Sequence, residues 1–179
     1  MGSWGIKAFE SDIGLDTLEF IRTHIPKNGC IILKELLEQI RLDEWCMPPD
    51  VEKGESHTSI MMIAELIEGF QNGNIEEWEY IPKKPFKKIV SFIADRESVL
   101  QMHEYLFGIL QQARKNAENG NRWNGWCEET NWESWQTHME NLLENLQDIL
   151  YRNEAEMELV LQAENEISDI PIEMDMRMD

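Results

Sequence analysis

Ile60-Met61-Met62-Ile63-Ala64-Glu65-Leu66-Ile67-Glu68-Gly69-Phe70 is the stretch that decides the architecture. Within a helix spanning about Ser56 to Gln71, these side chains are apolar almost all the way round. A helix without a polar face is a central one, wrapped on every side by neighbours. The run is too short to span a bilayer and is broken by Glu65. Asn72-Gly73 supplies its stop.

Working outward, the flanking segments carry the one-sided stripes of helices that pack on such a centre. Upstream, Leu33, Leu36, Leu37 and Ile40 recur at i, i+3, i+4, i+7 in a helix that ends before Pro48-Pro49. Before it, Ser11 or Asp12 can cap a helix running to about His24, followed by turn chemistry at Pro26-Lys27-Asn28-Gly29. Downstream, Asn74 to Pro85 reads as loop with Trp78 and Tyr80 embedded, and Phe86 to Ala94 as a short helix, a strand being the alternative. Asp95 caps a long helix to about Glu118, striped by Val99, Met102, His103, Leu106, Leu110 and Ala113, with a stop at Asn119-Gly120. Thr130-Asn131-Trp132-Glu133 reads as a capping box. The helix it opens carries Trp132, Trp135, Met139, Leu142, Leu143, Leu146, Ile149 and Leu150 on one stripe. A weaker helical stretch runs through Met157, Leu161 and Ile167, and the chain after Pro171 reads as disordered. The expected fold is therefore all-α: one compact domain over 1–152, six to seven helices around the central apolar one, with an acidic extension over 153–179 that is partly helical and then disordered.

At 179 residues the chain can bury a core without staples. It carries 35 acidic and 16 basic residues, a net charge of −19. From 153 to 179 there are nine acidic residues and one basic, so part of that charge is local and the body is acidic too. Such a field repels nucleic acid and anionic membrane surfaces and steers cationic partners inward over a Debye length of about 8–10 Å. The basic cluster Lys83, Lys84, Lys87 and Lys88 is more simply a contact for the acidic tail than a nucleic-acid patch in this setting. Cys30, Cys46 and Cys127 form no Cys-x-x-Cys pair, which fits reduced thiols in a cytoplasm, and residues 2–12 lack the apolar core of a signal peptide.

The opening of the chain is its most particular local pattern: Gly2, Trp4 and Gly5, then Phe9, then Asp12 and Asp16 at a helix start. Trp4 and Phe9 are two large apolar anchors suited to tying the N-terminal segment down. This opening resembles that of the bacterial domain-of-unknown-function 4259 family. The similarity extends through Ala64-Glu65-Leu66-Ile67-Glu68-Gly69 and through Trp126-Cys127-Glu128-Glu129 ahead of a Trp-starting last helix, about residues 1–150 in all. The Trp-rich loop 119–125 and the acidic tail depart from the family pattern. The resemblance implies a small bacterial cytosolic protein without a catalytic signature, similar to the immunity proteins that bind and block a cognate toxin.

The residues themselves offer no strong catalytic pattern. His24, His57, His103 and His138 form no His-Glu-x-x-His and no i, i+3 or i, i+4 pair, so no metal site and no cofactor are expected. His103 on an apolar stripe reads as a boundary histidine. Cys127 between Trp126 and Glu128 sits in an acidic setting that raises a thiol pKa. Glu128 and Glu129 with Glu133, or Asp12 with Asp16, are acidic pairs that chance supplies in so acidic a chain; the last two also suit a positive helix end. Trp132 and Trp135 lie on the core stripe, whereas Trp123 and Trp126 sit in a Gly/Asn-rich loop where a partner could reach them. The expectation is a non-enzymatic binding module meeting a basic protein through Trp123, Trp126, Glu128 and Glu129. The alternatives are a small hydrolase or metal enzyme using carboxylates with His57 or His103, and a homo-oligomer built on the final helix.

Overall fold

The computed structural model describes residues 4–73, 89–120, 126 and 128–152, together with the backbone of 158–161. Helix α1 (Asp12–His24) is followed by strand β1 (Cys30–Ile32), α2 (Leu33–Leu42), a single 3-10 turn at Val51–Lys53, and α3 (Ser59–Asn72). Strand β2 (Ser91–Asp95), α4 (Arg96–Glu118), α5 (Glu129–Arg152) and strand β3 (Glu158–Leu161) complete the order.

The central helix is where the sequence places it. In α3 every residue from Ser59 to Ile67 is buried, as are Gly69 and Phe70, and α1, α4 and α5 all pack against it. Thr58 caps its start, accepting the Met61 N–H. Gly73 ends it at φ +71°, where a Cβ would be strained, and donates back to the Gly69 and Phe70 carbonyls. Ser11 caps α1 and Asp95 caps α4, each accepting an amide three residues on. On α5 the apolar stripe from Trp132 to Ile149 is buried as expected. Its start is not. The helix begins at Glu129, and the Trp132 amide already donates to the Glu128 carbonyl at 3.2 Å, so Thr130 lies inside the first turn and caps nothing.

The chain is predominantly helical but not all-α, and five α-helices lie among the described residues where six to seven are expected. A three-stranded sheet in the order β1-β2-β3 accounts for the difference. β1 pairs parallel with β2, Cys30 opposite Ser91 and Ile32 opposite Ile93, after a crossover through α2 and α3. β3 pairs antiparallel with β2, Phe92 opposite Leu161 and Asp95 opposite Glu158. Thus 91–95 is a strand rather than the end of a short helix, and 158–161 is a strand where the extension reads as helical. Phe92 and Ala94 are buried, Phe92 meets Phe70 of α3 at 5.5 Å, and β2 packs against α2 and α4. No helix among the described residues is long and apolar enough to cross a membrane.

Candidate functional site

Glu65 is the one acid inside the apolar run of α3 before Glu68, and burial leaves it only 4% exposed. A carboxylate taken out of water needs donors close by. Its Oε2 accepts the Ala8 N–H at 2.6 Å and faces His138 Nε2 of α5 at 2.8 Å. Oε1 is buried with no donor among the described residues. Since a carboxylate only accepts, the proton of that histidine contact sits on Nε2. His138 also lines an open groove of about 470 Å³ together with Ser134 and Thr137. Burial also holds the nearby Glu68 carboxyl above its ordinary range, reinforced by Glu65 and opposed by His138.

His57 stands beside this pair. It is buried at the head of α3, and burial lowers its pKa to about 4, with the charge of His138 adding to the effect. The ring is therefore neutral near pH 7. The Gly5 carbonyl, 2.9 Å from Nε2, can only accept, so the single ring proton lies on Nε2 and Nδ1 takes the Ser56 hydroxyl proton at 2.7 Å. One face of the ring meets Trp126 at 5.8 Å. Trp126 in turn leans on Trp135 at 6.3 Å, and Trp135 stacks on Trp132 at 5.6 Å. The Trp135 indole N–H donates to the Ser56 carbonyl at 3.2 Å.

These contacts share a purpose: they sew the N-terminal segment onto the body. Residues 5 and 8 supply the carbonyl to His57 and the amide to Glu65, and the Trp4 amide closes the segment on the Glu10 carbonyl at 2.8 Å. Gly14 is required where the segment crosses α1, because a Cβ there would collide with the Ala8 carbonyl. Trp4 is not the expected anchor. It is 61% exposed, and the holding is done by backbone hydrogen bonds, by buried Ala8, and by Phe9 packed on the core.

The expected partner residues divide. Trp126 is half-buried and packs inward on the core, whereas Glu128 and Glu129 are exposed at the start of α5. Asp12 and Asp16 lie exposed on the first turns of α1. Gly2, Trp123, Cys127 and the four lysines 83, 84, 87 and 88 lie outside the described residues. His103 is a boundary residue stacked on Phe107, away from the other histidines. No group of three or more His, Cys, Asp or Glu suited to a metal ion occurs among the described residues.

Sequence reasoning passes over His138, which flanks the α5 stripe three residues after Trp135. The available signal is Glu65 itself, an acid flanked by apolar residues on an apolar helix, which must find a donor somewhere. Also unforeseen is the turn after α2. Asp43 Oδ2 accepts the Trp45 and Cys46 amides at 3.0 and 2.8 Å, and Cys46 plugs into the core, its thiol pushed up to about 12 by burial and by Asp43. Leu42, Trp45 and Met47 are left in the open around it. The chain matches no protein-family model, no curated protein and no solved structure.

Proposed function

We propose that this chain is a non-enzymatic protein-binding module of the immunity type, which binds a basic bacterial toxin or another basic protein and neutralises it by occlusion. The observation that carries this reading is the outer face of α5. Glu129 with Glu133, Glu140 with Glu144, and Glu144 with Asp148 stand at i, i+4, and all are exposed. Like charges so spaced weaken a helix, and acids in its last turns oppose the helix dipole. The single cross-helix relief among the described residues is Arg114, which reaches Glu140 at 3.0 Å. A ridge that costs the fold stability is explained by something outside the fold, and a cationic partner is its natural complement. Glu128 and Glu129 head the ridge, a few residues after Trp123 in the chain. The reading carries with it a cytoplasmic location and no cofactor.

The test is affinity capture from native lysate, followed by assay of the captured protein. The expected result is a basic protein whose activity is lost in the complex. Replacing Glu129 and Glu133 by Gln should slow association several-fold and flatten its salt dependence. A captured partner that keeps its activity, or binding indifferent to both salt and the ridge, overturns the reading.

One observation favours a second reading, a small hydrolase: His138, paired with the buried Glu65, lines an open groove that also holds Ser134 and Thr137. Ester hydrolysis by the purified protein that disappears in His138→Ala would establish it. Equal rates in both proteins would discard it.

A further inference from the structure

Large exposed apolar side chains on a rigid surface are unusual, because each costs hydrophobic free energy that a small shift of a floppy loop would recover. Trp45 is 75% exposed and Leu42 86% exposed, and neither belongs to a floppy loop. Asp43 clamps the turn through two amides, and buried Cys46 bolts it to the core. Farther along, the Tyr105 hydroxyl donates to the Pro49 carbonyl at 2.6 Å, and His57, fixed by its two hydrogen bonds, closes the far end. The indole is thus held out into solvent by the fold.

Trp45 overhangs a groove of about 580 Å³ between the first turns of α1 and the 43–57 connection. Its apolar wall is Trp45, Met47 and Pro49; its acidic wall is Asp12, Asp16 and Glu55. Among the described residues no Lys or Arg lines it, and its histidine, His57, is neutral. An aromatic face beside carboxylates such as Asp16 and Glu55 has the chemistry that recognises a lysine ammonium or an arginine guanidinium. The cation stacks on the ring while its hydrogens reach the acids, and its methylene stem covers the apolar wall.

We propose that this groove is the docking site for a Lys- or Arg-bearing extended segment of the basic protein partner, with Trp45 as its central contact. The proposal rests on the protein-binding reading and deepens it: the α5 ridge attracts and orients, and the Trp45 groove grips. The occupant is argued from charge complementarity, since the groove is negative within a molecule of net charge −19. Because the turn is already ordered, docking loses little conformational entropy, the condition under which one aromatic residue dominates an interface.

The experiment uses the full chain and a fluorescein-labelled peptide in which glycines alternate with three lysines and three arginines, titrated by anisotropy at about 150 mM salt so that unspecific attraction is screened. Trp45→Ala leaves the net charge unaltered, and because Trp45 is exposed the thermal melt should be unchanged. The expected result is at least tenfold weaker binding for Trp45→Ala. The pair Asp16→Asn with Glu55→Gln should weaken binding several-fold, while Glu38→Gln with Glu118→Gln, exposed acids of α2 and α4 that do not line the groove, leaves the equilibrium affinity within twofold. Equal affinity of Trp45→Ala and the unaltered chain overturns the groove, as does displacement of the peptide by free spermine at the same concentration of positive charge. If Trp45→Ala binds as tightly as the unaltered chain while Glu128→Gln with Glu129→Gln binds less tightly, the groove is lost but the protein-binding reading survives. That reading fails separately, when affinity capture yields no partner that loses activity.

Discussion

His57 is neutral in the folded chain because burial lowers its pKa from the ordinary 6.5 to about 4. Between those two values the unfolded chain binds a proton that the folded chain refuses, so stability rises with pH across that window and falls on acidification. The contribution is complete above pH 6.5 and amounts to about 3 kcal/mol. Denaturant melts of the unaltered chain and of His57→Gln between pH 4 and pH 7 should diverge by that amount, the variant being the flatter. Parallel curves would mean that His57 is not held neutral. Gly14 makes a second expectation at this scale. Gly14→Ala drives a Cβ into the Ala8 carbonyl, and overpacking against backbone costs about 2–3 kcal/mol. The same change should loosen residues 4–10, visible as faster amide exchange at Ala8, whose N–H is otherwise held by Glu65. That Glu65 needs a partner is legible in the sequence, being an acid flanked by apolar residues in an apolar run. That the partner is His138 is not, because 73 residues separate them and only packing brings them together.

Among elements, the long helices are legible through their apolar period, and α1 and α4 through their caps Ser11 and Asp95 as well; the Thr58 cap of α3 is not read from the sequence, and the capping box expected at Thr130 is absent. The strands are not legible. β1 is three residues that run straight into α2, too few to show an alternation. In β2 the buried Phe92 and Ala94 alternate correctly, but Ile93 between them is apolar too and disguises the period. β3 has acidic, Met-rich surroundings that read as a helix, and its pairing partner lies about 65 residues away, so no local signal exists. The strand position has a testable result. Ending the chain at Arg152 strips β3 from β2 and opens an edge of unpaired backbone groups. Sedimentation velocity on the shortened chain should show concentration-dependent self-association absent from the full one. A shortened chain that stays monomeric at every concentration would mean that β3 does not protect this edge.

At the scale of the whole molecule, charge is the dominant feature. A net −19 on a chain of 179 residues is a self-repulsion that folding has to overcome. Raising salt from about 10 to about 150 mM screens it, and Tm should climb by about 3 °C, the equivalent of roughly 1 kcal/mol in a chain this size. The same salt should slow capture of a cationic partner, so stability and association rate move in opposite directions. A fall in Tm over that range would show that local ion pairs such as Arg114–Glu140 outweigh the net field.

The indoles of Trp132 and Trp135 lie 5.6 Å apart and within 17° of parallel, locked inside the body. Two chromophores so placed share their electronic excitation, and the resulting paired band in circular dichroism vanishes when the stack comes apart. Trp45 and Trp4, both out in the solvent, take no part in that coupling and report instead through their emission and their access to a dissolved quencher, the share of Trp45 being the part lost in Trp45→Ala. The protein therefore carries two built-in optical gauges, one for the integrity of its interior and one for what settles on its surface, and a single cuvette can read both without a label.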